Sequence, residues 1–83
     1  MAAVQFSTLF DEVLEFLASS PTAEQIIAFQ PSETLQERAH YLLEQNRNDA
    51  LSAEERLELD EFTRMNHFMN MLRIKARQKL AGQ

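Results

Sequence analysis

The chain has 83 residues, of which 45% are hydrophobic and 25% charged, and a formal net charge of −5, the proportions of one small soluble domain. It contains no cysteine, which excludes a disulfide framework, a thiolate metal site and a cysteine nucleophile. The single glycine excludes a glycine-rich phosphate loop, and no apolar run approaches the roughly 18 residues that a transmembrane helix needs. The first five residues carry no basic group, so we expect no signal peptide, no membrane association and a cytoplasmic protein.

The apolar residues recur at helical spacing almost throughout, which predicts an all-α fold of four helices in a single domain over residues 1–83. The first helix is expected over about residues 5–18, since its apolar side chains return every three or four positions. Those side chains are Phe6, Leu9, Phe10, Val13, Leu14, Phe16 and Leu17. An apolar stripe of this width needs more than one neighbouring helix to cover it.

A break after the first helix leads to a short second helix over about residues 21–29. Two N-caps are open for it: Ser20, with Pro21 as the first helical residue, or Thr22 in a capping box with Gln25. In either case the helix ends before the next proline. Its buried residues are expected to be Ile26, Ile27 and Phe29.

The third and fourth helices are predicted to form an αα-hairpin over about residues 33–47 and 53–80. Ser32 caps the third helix, and Ser52 forms a capping box with Glu55 at the start of the fourth. The connection between them is short, so the two helices are expected to run antiparallel. The apolar stripe of the third helix consists of Leu35, Ala39, Leu42 and Leu43.

The fourth helix is predicted to be longer than the body to which it belongs. About 28 residues at 1.5 Å each extend over roughly 42 Å. A compact globule of this chain length is only about 30 Å across. The end of the helix therefore projects into solvent or is covered by something else.

The charges of the chain are segregated along its length. Residues 1–62 hold all 13 acidic residues and three bases, for a formal charge of −10, whereas residues 63–83 hold five bases and no acid, for +5. One explanation is the helix macrodipole, which favours acids at the start of the fourth helix and bases at its end. The other is a basic collar for an acidic partner or a phosphate, formed by Arg73, Lys75, Arg77 and Lys79.

The spacing of the basic collar argues against a nucleic-acid interface. Its four cations occupy alternate positions, so on a helix they point around the axis rather than to one side. The chain is also acidic as a whole. We therefore expect no general nucleic-acid binding, and the partner that the collar suits is an acidic protein surface.

Apolar side chains are dense in the fourth helix between residues 62 and 74. One interpretation is a core that packs on the first three helices, and the other adds an exposed face for self-association or a partner helix. The length of the helix favours the second interpretation, since the shorter helices do not reach all of it. The candidate partner-binding residues are Phe62, Met65, Phe68, Met69, Met71 and Leu72, together with Arg73, Lys75, Arg77 and Lys79.

Few residues combine in a pattern that is typical of a metal-binding or catalytic site. Glu37 and His40 have the Glu-x-x-His spacing of carboxylate-bridged di-iron bundles, but such sites use two copies and this chain has one. We therefore predict no metal site and no cofactor, with His40 at the surface. His67 lies in the apolar stretch and is expected to be partly buried and hydrogen-bonded. No serine stands near a histidine with an orienting acid, so we predict no catalytic residue and no enzymatic activity.

Several stretches of the sequence resemble a known group of proteins. They are Pro31-Ser32-Glu33-Thr34-Leu35-Gln36-Glu37-Arg38, Leu42-Leu43-Glu44-Gln45-Asn46-Arg47, Leu51-Ser52-Ala53-Glu54-Glu55, Glu58-Leu59-Asp60-Glu61-Phe62 and His67 to Arg77. Over about residues 19–80 the chain resembles a group of small, uncharacterised all-helical bacterial proteins, known best from photosynthetic bacteria. Some members look like the antitoxin half of toxin–antitoxin pairs, whose partner is typically a small nuclease such as a PIN-domain ribonuclease. The resemblance implies a protein partner and no established activity.

Two functions follow from these patterns, ahead of a third, a metal-dependent enzyme that would use Glu37 and His40. The leading prediction is a non-enzymatic helical protein–protein interaction module that forms a homodimer, in which the basic end of one long helix meets the acidic half of the other. The alternative is an antitoxin-like protein that neutralises a partner nuclease through its basic C-terminal helix. A dimer in solution would support the first function, and a nuclease encoded beside this chain would support the second.

Overall fold

The computed structural model of the chain describes residues 8–82. These residues form four α-helices and no strand, which confirms the predicted all-α fold with a short second helix and a long last one. The helices are α1 (Leu9–Ala18), α2 (Ala23–Ala28), α3 (Glu33–Arg47) and α4 (Ala53–Ala81).

The start of α1 differs from the prediction. Its N-cap is Thr8, whose side-chain oxygen accepts the N–H of Asp11 at 3.0 Å. The Asp11 carboxylate in turn accepts the Thr8 N–H at 3.1 Å, which completes a capping box. Because an N-cap has non-helical backbone angles, the predicted start at about Gln5 is corrected to Leu9. Phe6, which the prediction placed on the apolar stripe, lies outside the described residues.

The junction between α1 and α2 decides between the two N-caps that the sequence leaves open. Ser20 has a φ of 58°, a left-handed conformation that often ends a helix, and it donates its N–H to the Leu17 carbonyl at 3.1 Å. It therefore terminates α1 and lacks the extended conformation that an N-cap needs. Thr22 caps α2 instead, in a capping box with Gln25. As a result α2 starts two residues later and ends one residue earlier than predicted.

The hairpin of α3 and α4 has the starts that the sequence predicts. The Ser32 hydroxyl accepts the Leu35 N–H at 3.3 Å at the start of α3. At the start of α4, the Ser52 hydroxyl accepts the Glu55 N–H and the Glu55 carboxylate accepts the Ser52 N–H. The predicted bounds of α3 are confirmed, and α4 continues one residue beyond its predicted end.

The connection between α3 and α4 is a tight turn in which an aspartate takes the position usual for glycine. Asp49 has a φ of 59° and follows the C-cap Asn48. The N–H of Ala50 bonds the Gln45 carbonyl at 2.8 Å, and that of Asp49 bonds the Asn46 carbonyl at 3.1 Å, which is a Schellman motif. Aspartate visits the left-handed region more readily than most side chains, so the turn forms without glycine.

The core lies where α1 and α3 meet the middle of α4. Its buried cluster consists of Leu9, Val13, Leu35 and Met69. The half-buried side chains around this cluster are Phe16, Leu17, Phe29, Phe62, Met65 and Leu72. Phe16 and Phe29 join α1 to the end of α2, with ring centroids 4.6 Å apart. Leu42 of α3 and Ala76 of α4 are buried as well.

Several apolar side chains are more exposed than their predicted place in a packing stripe implies. Leu43 of α3 and both Phe10 and Leu14 of α1 are about half exposed. Each follows a buried residue by one position and so points about 100° away from it; those buried residues are Leu42, Leu9 and Val13. The expected buried residues of α2 are half-buried, and they are Ile26, Ile27 and Phe29. The stripes are narrower than predicted because neighbouring helices cover them from one side.

The molecule is flat and elongated because three helices lie along one long helix. Its principal extents are 48 × 34 × 18 Å, and its radius of gyration is 15.0 Å. A compact chain of this length has a radius of gyration of about 12 Å. α4 contacts all three other helices, and its 29 residues extend over about 44 Å. A thickness of 18 Å corresponds to about two helix layers, so within residues 8–82 one side of α4 carries no helix.

Candidate interaction surface

α4 carries two neighbouring strips of side chains, each with the alternating three–four spacing of a helix seam. The inner strip is buried or half-buried and consists of Phe62, Met65, Met69, Leu72 and Ala76. In the outer strip each residue lies one position before a residue of the inner strip, and one additional residue extends it toward the N-terminus. It consists of Leu57, Glu61, Arg64, Phe68, Met71 and Lys75. One position corresponds to about 100° around the helix, so the outer strip is turned away from the core.

Four of the predicted partner-binding residues belong to the core. Met69 is 2% exposed and lies within the buried cluster. Phe62, Met65 and Leu72 pack against the same cluster. Because the residues that cover them come from the same chain, all four have a packing role; the predicted partner contact is corrected for buried Met69 and stays a prediction for the three half-buried residues. They hold α4 against α1 and α3.

Phe68 and Met71 form the apolar centre of the outer strip. They are 44% and 46% exposed, respectively. Ile74 lies three residues after Met71, flanks the strip and is exposed to a similar degree. Three large apolar side chains within seven residues of one helix are a contiguous patch rather than scattered single residues. Such patches on small domains are typical of interaction surfaces.

The basic end of α4 contains one structural arginine. Arg73 is half-buried, and its guanidinium donates to the Phe29 carbonyl at 2.8 Å and to Asn70 Oδ1 at 2.7 Å. The Phe29 carbonyl is one of the groups that a helix end leaves without a partner, so Arg73 docks the end of α2 onto α4. The remaining cations of the predicted collar are exposed and form no ion pair within residues 8–82; they are Lys75, Arg77 and Lys79.

Replacing Arg73 by methionine tests this structural assignment. The variant keeps the apolar stem and removes the charged donor to the Phe29 carbonyl, so we expect the free energy of unfolding to fall by about 1.5 kcal/mol. Arg77→Met is the matched control, since Arg77 is exposed and lies four positions further along the same helix, and it is expected to change stability by less than about 0.5 kcal/mol. Urea unfolding followed by circular dichroism measures both. Equal losses would contradict a structural role for Arg73.

Acidic residues gather around a groove between α1, α3 and the first half of α4. The groove has a volume of about 790 Å³, and its floor is formed by Leu9, Leu35 and Phe62. Its rim carries four carboxylates and one guanidinium, from Glu12, Glu37, Glu58, Glu61 and Arg38. The rim is therefore negative, and it borders the outer strip of α4, because Glu61 belongs to both.

Ion pairs and hydrogen bonds on this rim hold α3 against α4. The Arg38 guanidinium donates twice to the Glu58 carboxylate, each time at 2.8 Å, and this hydrogen bonding raises the pKa of Arg38. The same guanidinium lies 5.0 Å from the centre of the Tyr41 ring. The pKa of Glu55 is lowered, first by the Ser52 N–H and then by the Tyr41 hydroxyl, which donates to it at 3.2 Å. These groups are largely exposed, so the pairs orient the helices more than they stabilise them.

The histidines are surface residues. Within residues 8–82 no group of three or more metal-ligating side chains comes together. Glu37 and His40 are both exposed on α3, and the predicted surface position of His40 is confirmed. The prediction of a partly buried His67 is wrong, because it lies about 200° around α4 from buried Met69 and is exposed.

Part of the outer strip was missed by sequence reasoning. Leu57, Glu61 and Arg64 were not among the expected site residues, although each continues the spacing that leads to Phe68. Leu57 is the most exposed of the large apolar residues in the described part of the chain. The signal that identifies them is the three–four spacing of the inner strip, repeated one position earlier along the sequence.

No protein family, curated protein or solved structure is found to match this chain. The resemblance to small helical bacterial proteins therefore stays a prediction. Within residues 8–82 none of the helices combines the length and the apolar character that crossing a lipid bilayer requires.

Proposed function

We propose that this chain is a non-enzymatic helical protein–protein interaction module of the cytoplasm, and that it forms a homodimer through the outer strip of α4. The observation that supports this function is the half-exposed pair Phe68 and Met71 at the centre of the longest helix, one position away from the strip that packs on the core. Burying apolar surface of this kind is favourable by about 25 cal/mol per Å². A second helix laid along the strip provides that burial.

We expect Phe68→Ala to raise the dissociation constant of the dimer about tenfold or more. Truncating a buried aromatic anchor in an interface costs upwards of about 1.4 kcal/mol, and a symmetric dimer contains the residue twice. Phe68 lies outside the buried cluster, so the monomer keeps its fold. Sedimentation equilibrium from micromolar to millimolar protein concentration measures the constant.

Phe10→Ala is the matched control for this experiment. Phe10 is as exposed as Phe68 but lies on α1, so its removal is expected to change the dissociation constant by no more than about twofold. A wild-type chain that stays monomeric over the whole range contradicts the proposed homodimer. Equal effects of the two variants contradict the outer strip as its interface.

The exposed cations favour a second candidate function. Lys75, Arg77 and Lys79 are free of ion pairs in the part of the chain that the structure describes, so they are available to an acidic protein surface. The alternative we propose is an antitoxin-like protein that neutralises a nuclease by covering its acidic site with this basic end. Coexpression with the product of the neighbouring reading frame tests it. Nuclease inhibition that Lys79→Glu abolishes supports this alternative, and a neighbour without nuclease activity contradicts it.

A further inference from the structure

The outer strip of α4 carries opposite charges at equal distances from its aromatic centre. Glu61 lies seven positions before Phe68, and Lys75 lies seven positions after it. We propose that two copies of this chain pair antiparallel along α4, with the two Phe68 side chains in contact at the two-fold axis and Glu61 of each copy beside the partner's Lys75. This inference rests on the proposed homodimer and specifies its orientation and register.

The spacing of these residues produces the pairing. A two-fold axis that passes between the two Phe68 side chains and is perpendicular to α4 relates the two copies. It places each residue opposite the partner residue that lies equally far from Phe68 in the other direction along the chain. Seven residues correspond to about two turns and about 10.5 Å, so Glu61 and Lys75 lie on the same side of the helix as Phe68. The dimer then contains two identical ion pairs that flank two phenylalanine rings in contact.

The neighbouring positions of the strip fit the same register. Leu57 lies eleven residues before Phe68 and Lys79 eleven after it. The stem of the partner's Lys79 therefore covers the largely exposed Leu57 while its ammonium stays in water.

A parallel pair brings like charges together. Glu61 would lie beside the partner's Glu61, and Lys75 beside the partner's Lys75. Antiparallel pairing instead brings Lys75 and Lys79 of one copy to the acidic rim of the other copy's groove. At that rim Glu61 forms no ion pair with any residue among 8–82. Opposite potentials attract before contact, and the attraction weakens as salt is added.

Charge reversal tests the orientation and the register. In an antiparallel dimer Glu61→Lys or Lys75→Glu alone turns both ion pairs into repulsions, so we expect each variant to raise the dissociation constant about tenfold at low salt. The combined variant restores two pairs with reversed charges, and its constant is expected within about twofold of wild type. In a parallel dimer none of the three variants changes the charge relation between facing residues. Sedimentation equilibrium at low and high salt measures all of them.

Two further variants control for net charge. Glu24→Lys lies on α2, and Arg77→Glu points about 200° around α4 from Lys75, so both change the net charge away from the outer strip. Each is expected to leave the dissociation constant within about twofold of wild type. A dimer in which Glu61→Lys and Lys75→Glu behave like these controls overturns the proposed register.

Single cysteines provide a second measurement, because the natural chain contains none. In the antiparallel dimer, a mixture of Glu61→Cys and Lys75→Cys chains is joined by a short bismaleimide, whereas neither variant alone is joined. Crosslinking of Glu61→Cys with itself overturns the orientation and leaves the homodimer standing. A wild-type chain that sediments as a monomer at every concentration overturns both the homodimer and its orientation.

Discussion

Leu42→Ala is expected to lower the free energy of unfolding by about 2–5 kcal/mol. Leu42 is 0% exposed on α3, so the truncation leaves a cavity inside the hairpin of α3 and α4. The surrounding side chains relax only partly into such a cavity, which is why the loss exceeds the transfer free energy of the deleted carbons. A small domain has a total stability on the order of 5–15 kcal/mol, so the variant loses a large part of it.

Leu43→Ala is the matched control for this substitution. Leu43 is the next residue on the same helix and is 53% exposed, so the same atoms are removed from a site that is already solvated. We expect its free energy of unfolding to stay within about 0.5 kcal/mol of wild type. Urea unfolding followed by circular dichroism compares the two variants. Similar losses at the two positions would contradict the orientation of α3.

Met69→Ala is the second substitution with a large expected effect, again about 2–5 kcal/mol. Met69 lies where Leu9 and Val13 of α1 and Leu35 of α3 converge on α4, so its truncation weakens the contact of two helices at once. Hydrogen exchange is expected to show the amides of α1 opening first, because α1 has only ten residues and depends on this cluster.

Met71→Ala separates folding from association at nearly the same place. Met71 is the same residue type on the same helix, but it lies on the outer strip. At protein concentrations below the dissociation constant of the dimer, its free energy of unfolding is expected to stay within about 0.5 kcal/mol of wild type. The dissociation constant itself is expected to rise. A folding defect in Met71→Ala as large as that of Met69→Ala would show that the two strips are not distinct.

The helix boundaries were predictable where a local signal specifies them. Ser32 caps α3, and the Ser52–Glu55 capping box starts α4, so a few adjacent residues determine each boundary. The start of α1 was missed because Phe6 continues the apolar spacing past the true cap. Thr8 is paired with an aspartate there instead of the more usual glutamate or glutamine.

Which of the two strips of α4 is buried was not predictable from the sequence. Met69 and Met71 are the same residue type, and both strips have three–four spacing, so local pattern gives no reason to bury one rather than the other. The choice depends on where α1 and α3 pack, which is a long-range property of the fold. Arg73 was predicted to bind a partner, and its structural role was missed for the same reason, since its acceptor is the carbonyl of Phe29, 44 positions away in the chain.

The flat shape of the molecule also links its folding to its concentration. Two helix layers bury few side chains, and within residues 8–82 the buried ones are Leu9, Val13, Leu35, Leu42, Met69 and Ala76. The free energy gained by burying a core of this size exceeds the cost of the conformational entropy lost on folding by only a small amount. In the proposed dimer the second copy binds only the folded chain, so it stabilises the fold by mass action as a ligand does. The melting temperature of such a protein rises with the amount present, and dilution acts on it as a denaturant.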